Sequence, residues 1–196
     1  DGNTEIHTIE WKPEKEVKAV LQICHGMVEY IGRYDEFAQF LCDKGYYVVG
    51  NDHLGHGKSV QAKSEYGFFN EKYGNVCVLG DIHTLRQRTE KKYPDVPYFM
   101  MGHSMGSSLL RQYIQMYGKG LDGAVLMGTV ADHKKAALAF GKRLCGITGV
   151  NWWMILQSAA IIRNLNLPGR RRTGLPAIMN GWKNMRKILS AHSGSQ

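Results

Sequence analysis

Six residues near the middle of the chain, Gly102-His103-Ser104-Met105-Gly106-Ser107, limit what it can fold into more than any other stretch. They fit G-x-S-x-G with Ser104 at the centre. An apolar run, Val96 to Met101, leads in, and a helical pattern from Ser108 to Ile114 leads out. A strand that stops, turns sharply and becomes a helix needs glycine two before and two after the serine, where Cβ atoms would clash. Such a turn, a nucleophile elbow, projects the serine oxygen outward. It also leaves the amide of the next residue, Met105, at a helix N-terminus with no intrahelical acceptor, free to donate to an oxyanion. A plain Gly-rich strand-to-helix turn is the alternative. What stands upstream favours the catalytic reading.

Thr4 to Trp11 alternates loosely and reads as a half-exposed first strand, followed by a turn at Pro13 to Glu16. Val17 to Cys24 is an apolar, β-rich run that ends in His25-Gly26-Met27. In an α/β sheet, ligand sites lie off the carboxyl ends of strands, so this loop is expected to face the Ser104 turn. Its expected role is the second oxyanion donor, the backbone N–H of Met27, rather than a mere tight turn. Tyr34, Phe37, Ala38 and Leu41 have amphipathic-helix spacing over Arg33 to Asp43, and Lys44-Gly45 stops that helix. Tyr46 to Gly50 is the next buried strand. Asn75 to Tyr93 reads as a long helix with Val76, Leu79, Ile82, His83 and Leu85 inward and Arg86, Arg88, Glu90, Lys91 and Lys92 outward. Leu121 to Met127 is another buried strand. The order β-α-β-loop-α-β-α-β predicts an α/β fold: a mostly parallel sheet with helices on both faces, a three-layer sandwich.

The loop Asn51 to Ser59, NDHLGHGKS, offers two decoys. GHGKS resembles the end of a phosphate-binding loop, but the full pattern needs Gly where Asp52 stands and an apolar-periodic helix after it. His53 and His56 are spaced as metal ligands, but no nearby carboxylate or cysteine completes a site. Histidines in such loops usually bond to backbone, so no metal is expected.

Of the 196 residues, 25 are Lys or Arg and 17 Asp or Glu, a formal charge of +8. The excess is local. Residues 1–150 hold 18 basic and 17 acidic residues, whereas residues 151–196 hold seven basic and no acidic ones. The main body is therefore electrically ordinary, and no nucleic-acid partner is expected. No run approaches the roughly 18 apolar residues of a membrane span. Cys24 and Cys42 sit in apolar runs and read as buried thiols, consistent with a reducing cytoplasm.

His25-Gly26-Met27, Gly32-Arg33-Tyr34, Asp52 to Ser59 and Gly102 to Ser107, in this order and spacing, resemble the monoacylglycerol lipase and lysophospholipase branch of the α/β-hydrolases, a serine aminopeptidase S33-type group. The resemblance covers roughly residues 5–150 and rests on four separate motifs. It implies a serine esterase that cleaves monoacylglycerols, lysophospholipids or similar esters. It implies Ser104 as nucleophile, Met27 and Met105 as oxyanion amides, and His25, Gly26, Gly102, His103 and Gly106 as motif support. It needs no cofactor and no metal. A lid is implied after the strand ending near Gly128, and Ala131 to Gly149, rich in small and apolar residues, fits either a lid or an ordinary packing helix. The expected partners are a lipid ester and, transiently, a membrane or micelle surface, with a cytoplasmic or peripheral location.

The triad order in this fold is Ser, then Asp or Glu, then His. After Ser104 the only acids are Asp122 and Asp132 and the only histidines His133 and His192. Asp122 begins a strand, at the wrong end of the sheet. Asp132 follows a strand's carboxyl end, but His133 is its chain neighbour, and His192 lies in a polar tail. The triad acid and histidine are therefore left unassigned. The expected organisation is a hydrolase core over residues 1–130, the start of a lid over 131–150 and an atypical basic tail over 151–196, with the late strands missing. Ala160 to Leu167 can be encoded by bases that in another frame read Ser-Tyr-Asn-Lys-Glu-Phe-Lys-Pro, similar to a lid segment of the family. Residues from about 150 onward are thus expected to be an out-of-frame product of the same gene, leaving the sheet truncated at an exposed strand edge. The rival is a divergent lid with Trp152, Trp153, Ile161 and Ile162 contacting lipid and Arg170-Arg171-Arg172 anchoring an anionic surface. A catalytically incomplete hydrolase, or a lipid-binding module built on the tail, are the alternative functions.

Overall fold

The computed structural model of the chain describes residues 2–129 and the backbone of 160–163. Six strands form one sheet: β1 (Thr8–Trp11), β2 (Ala19–Cys24), β3 (Tyr46–Asn51), β4 (Tyr98–His103), β5 (Gly123–Met127) and β6 (Ala160–Arg163). Their order is β1-β3-β2-β4-β5-β6. The four central strands run parallel, and β1 and β6 close the edges antiparallel. Among the described residues three α-helices accompany them: α1 (Asp35–Asp43), α2 (Gly74–Lys92) and α3 (Met105–Tyr117).

The central strands are buried along their length, as strands covered on both faces must be. Alternation survives in which face each side chain serves. Leu21, Ile23, Val48, Phe99, Met101, Val125 and Met127 pack with Tyr34, Phe37, Ala38 and Leu41 around α1. Val20, Cys24, Tyr47, Val49, Tyr98, Met100, Ala124 and Leu126 pack with Val78, Leu79, Ile82, Leu109, Leu110 and Tyr113 of α2 and α3. Truncating a fully buried member such as Ile82 or Leu110 to Ala is expected to cost ~2–5 kcal/mol. One polar pair crosses the second layer: Gln22 donates to the Ile82 carbonyl at 3.0 Å and accepts the Tyr98 hydroxyl at 2.7 Å.

The connections place the site. From β2 the chain passes through α1 to β3 on one side, then returns through α2 to β4 on the other side of β2. The loops after β2 and β4 therefore leave adjacent strands toward opposite faces, opening a crevice outside their carboxyl ends.

Several expectations change. The helix expected from Arg33 begins as a 3₁₀ turn over Ile31–Tyr34 before α1. Val76 is exposed rather than inward, because α2 is only one turn old there. Arg86 is buried rather than outward. Its guanidinium donates to the carbonyls of Tyr117 at 2.6 Å and Lys119 at 2.9 Å and to the Glu90 carboxylate at 2.8 Å. It thus fills the carbonyl-rich C-terminus of α3, where a cation is favoured. Cys42 is half-buried, whereas Cys24 is buried. The sheet does not end at β5: Gly123–Leu126 pair with Ala160–Arg163, which were expected in the tail, so that edge is paired. The expected lid, Asp132, His133, Trp152, Trp153, Arg170 to Arg172 and His192 lie outside the described residues. Among the described residues, no helix is long and apolar enough to cross a membrane.

Candidate active site

Ser104 sits between the end of β4 and the first turn of α3 with φ 51° and ψ −116°. A non-glycine residue at positive φ is costly, on the order of 1–3 kcal/mol, and persists only where its surroundings impose it. Here they do. The Ser104 N–H donates to the Met127 carbonyl at 2.8 Å, and the Ser104 carbonyl accepts the Ser107 hydroxyl at 2.6 Å. Thr129 in turn donates to Ser107 at 2.9 Å. The Ser104 hydroxyl makes no hydrogen bond among the described residues.

The two motif glycines are fixed by close approach. A Cβ on Gly106 would lie 2.1 Å from the Cys24 carbonyl oxygen and 2.5 Å from that of His25. A Cβ on Gly102 would lie 2.5 Å from the Gly106 oxygen. The start of α3 therefore rests directly on the root of the loop after β2. That contact brings the Met105 and Met27 amides to the same end of the sheet. Neither amide has an acceptor among the described residues.

His25 aims the Met27 amide. Its Nδ1 lies 2.7 Å from the Gly26 carbonyl oxygen, which can only accept, so Nδ1 carries the proton. Its Nε2 accepts the His53 N–H at 2.9 Å, so the ring is neutral and in one tautomer. Burial lowers the His25 pKa, opposed by the Gly26 bond, in agreement with that state. No peptide bond among the described residues is cis, and in a trans peptide C=O and N–H point oppositely. Holding the Gly26 carbonyl against the buried imidazole thus turns the Met27 N–H away from it.

Beyond Met27 the chain doubles back through Val28 at φ 58°, exposed at 84%. This brings the Glu29 carboxylate onto the loop it belongs to. Glu29 Oε1 accepts the Gly26 N–H, the Tyr34 hydroxyl at 3.0 Å and His103 Nδ1 at 2.9 Å, and Arg33 stands 3.6 Å from Oε2. Burial pushes the Glu29 pKa up, but the His103 contact and these other donors more than offset it and hold the group ionised. A Cβ on Gly26 would stand 2.6 Å from Oε1 and 3.2 Å from the His103 carbonyl oxygen, so a larger residue there would displace the carboxylate.

The loop after β3 is a scaffold for this arrangement. Asp52 accepts the Ile31 N–H at 2.7 Å and the Lys58 N–H at 2.8 Å. Ser59 donates to the Asp52 carbonyl at 2.8 Å and accepts the His7 N–H at 2.9 Å. His56 bonds to the Leu54 carbonyl as expected, at 3.2 Å. His53 departs from expectation: both ring nitrogens are buried without a partner among the described residues. The ring lies 4.1 Å from that of His25, and burial, then the neighbouring imidazoles, pushes its pKa well below the usual value. No group of three or more His, Cys, Asp or Glu among the described residues is arranged to hold a metal.

Asp122 is accounted for at the opposite end of the sheet. Its carboxylate accepts the Tyr98 N–H at 2.8 Å and its own N–H donates to the Tyr98 carbonyl at 2.9 Å. It ties the entry of β4 to that of β5. Glu29, Ser107 and Arg86 carry geometry that sequence reasoning did not single out. For Glu29 the available signal was a lone acid between Val28 and Tyr30 on a loop already under suspicion.

Helices on both faces of a largely parallel sheet, with a strained serine turn after β4 beside a Gly loop after β2, define an α/β-hydrolase. Residues 15–170 match the hydrolase family described as serine aminopeptidase, S33, and the chain belongs to that family. The match continues past Gly149, where the sequence resemblance was expected to stop. The chain is similar to monoglyceride lipase from Mus musculus, 38% identical over 99 residues, 50% of this chain and 31% of that protein. It is also similar to monoacylglycerol lipase from Mycolicibacterium smegmatis, 30% identical over 122 residues, 62% of this chain and 41% of that protein. Among solved structures, a thermostable carboxyl esterase from Bacillus coagulans in complex with glycerol superposes with a TM-score of 0.65 at 32% identity, covering 74% of this chain and 48% of that one. The chain thus spans between about a third and a half of these proteins.

Proposed function

We propose that this chain is a serine hydrolase of lipid-type carboxylic esters, monoacylglycerols or lysophospholipids, acting through an acyl-enzyme on Ser104. The observation that carries the reading is the Ser104 backbone, held at φ 51° by bonds to Met127 and Ser107 while its hydroxyl has no partner among the described residues. The names of the relatives support the ester class. In the reaction the Ser104 oxygen bonds to the ester carbonyl carbon as a base takes its proton. The Met27 and Met105 amides stabilise the oxyanion. The carbon–oxygen bond to the alcohol then breaks, the alcohol leaves protonated, and water releases the acid. This reading needs no cofactor or metal. It places the protein in the cytoplasm, in transient contact with a membrane or micelle surface.

One observation favours a second reading, a catalytically incomplete hydrolase. Among the described residues no imidazole is hydrogen-bonded to the Ser104 hydroxyl, and Asp122 is committed to Tyr98. Hydrolysis of a short p-nitrophenyl ester by the wild type and by Ser104→Ala separates the two. A rate lost in the variant supports the hydrolase. Equal, negligible rates support the incomplete one. A small rate shared equally by wild type and variant would come from oxyanion stabilisation and binding alone, which need no serine.

A further inference from the structure

The strongest unabsorbed feature is the Glu29 carboxylate. It is nearly buried, yet it lies in the loop that carries Met27 and reaches across to the residue that precedes Ser104. Three donors converge on its one oxygen, from Gly26, Tyr34 and His103. Because an ionised carboxylate only accepts, His103 Nδ1 carries a proton toward it. Charge-assisted bonds of this kind are roughly twice as strong as neutral ones. They also cross a seam: Gly26 belongs to the β2 loop, His103 to the end of β4, and Tyr34 to the turn leading into α1.

We propose that Glu29 is a positioning residue that locks the Met27 loop to the Ser104 strand through His103. The proposal rests on the oxyanion role read for Met27 above. The two peptides flanking Gly26 are then each pinned at one end. Glu29 holds the N–H of Gly26, and His25 holds its carbonyl. With both fixed, the Met27 amide has one direction left. Val28 is exposed and at positive φ, so releasing Glu29 frees the loop. Glu29 touches no reacting atom in this arrangement. Its effect passes through the aim of the Met27 amide and the seat of His103.

The test has two readouts on the full chain. The first is amide hydrogen exchange, followed by NMR, in wild type, Glu29→Ala, Glu29→Gln and His103→Ala. Glu29→Ala is expected to speed exchange at Gly26 and Met27 by about tenfold or more while Val49 in β3 is unchanged. Glu29→Gln retains an acceptor and is expected to recover most of the protection. Unchanged exchange at Gly26 and Met27 in Glu29→Ala would overturn the proposal, as would equal loss of protection at Val49, which marks general destabilisation. The second readout is the rate of fluorophosphonate adduct formation on Ser104. It is expected to fall by about 10–100-fold in Glu29→Ala and in His103→Ala, and no further in the double variant. Additive losses would overturn the coupling through His103. A wild type that forms no adduct but shows the exchange pattern would remove the hydrolase reading and leave the lock intact.

Discussion

Two Gly-rich loops leave the carboxyl end of the sheet on either side of β2, one after β3 and one after β4, and each carries a serine. Ser59 is fully buried and its hydroxyl both donates, to Asp52, and accepts, from His7. Ser104 is partly accessible, its hydroxyl has no partner among the described residues, and its backbone is held at positive φ. The residue type and the glycine content are alike. What separates a structural serine from a candidate nucleophile is whether hydrogen-bonding capacity is consumed and whether the backbone is strained to keep it free. Asp52 and Glu29 repeat the contrast among carboxylates. Asp52 accepts the backbone amides of Ile31 and Lys58, whereas Glu29 accepts from Gly26 and His103, in the two loops that would hold the reacting atoms.

The largest expected effect is on rate. Ser104→Ala is expected to lower ester hydrolysis by about 10³-fold or more with little change in Tm, whereas Ser59→Ala leaves the rate per folded molecule intact. Steady-state kinetics on both variants breaks the contrast if Ser59→Ala is as damaging to turnover as Ser104→Ala. Next is Gly106→Ala, whose Cβ would meet the Cys24 oxygen at 2.1 Å. A clash with backbone cannot relax through a side chain, so a loss of roughly 3 kcal/mol or more in denaturant unfolding is expected.

An acid-sensitive stability follows from the imidazoles beneath the β2 loop. Burial lowers the folded-state pKa of His25 and His53 below the ordinary value of 6.5, so between those limits the unfolded chain binds more protons. Their contribution is present above about pH 6.5 and is lost as pH falls through it toward the depressed folded values. Thermal melts from pH 8 to 5 should show Tm falling below 6.5, with a shallower fall in His53→Phe. A Tm that rises on acidification would contradict the neutral His25 tautomer.

Smaller effects sharpen the serine comparison further. Ser59→Ala strands the His7 amide, leaves the Asp52 carbonyl with only the Asn51 side-chain donor, and is expected to cost ~1–3 kcal/mol. Ser104→Gly should do the opposite, relieving a positive φ and raising stability by about 1 kcal/mol while abolishing turnover. Equal and opposite changes in Tm and rate at one residue would mark it as a strained functional position.

Much of this was legible in the chain. The alternating apolar runs and amphipathic segments predict the central strands, the three helices and the parallel sheet, because burial on both faces leaves a distinctive pattern. The glycines around Ser104 predict the elbow. What was not legible depends on long-range partners. Arg86 reads as solvent-facing until α3 ends beside it and offers two bare carbonyls. Val76 looks inward by period, but no layer covers the first turn of α2. The antiparallel pairing of Ala160–Arg163 with β5 joins segments some forty residues apart, which no local pattern announces. Glu29 is the instructive case at the site. Its burial follows only once Val28 reverses the loop and β4 brings His103 alongside.

The central claim is that Ser104 is the nucleophile. It is tested most directly by intact-mass and peptide-mass analysis after treatment with an alkyl fluorophosphonate. One adduct per chain is expected, mapped to Ser104 and absent from Ser104→Ala. An adduct on Ser59, Ser107 or Ser108, or one that persists in Ser104→Ala, would contradict it.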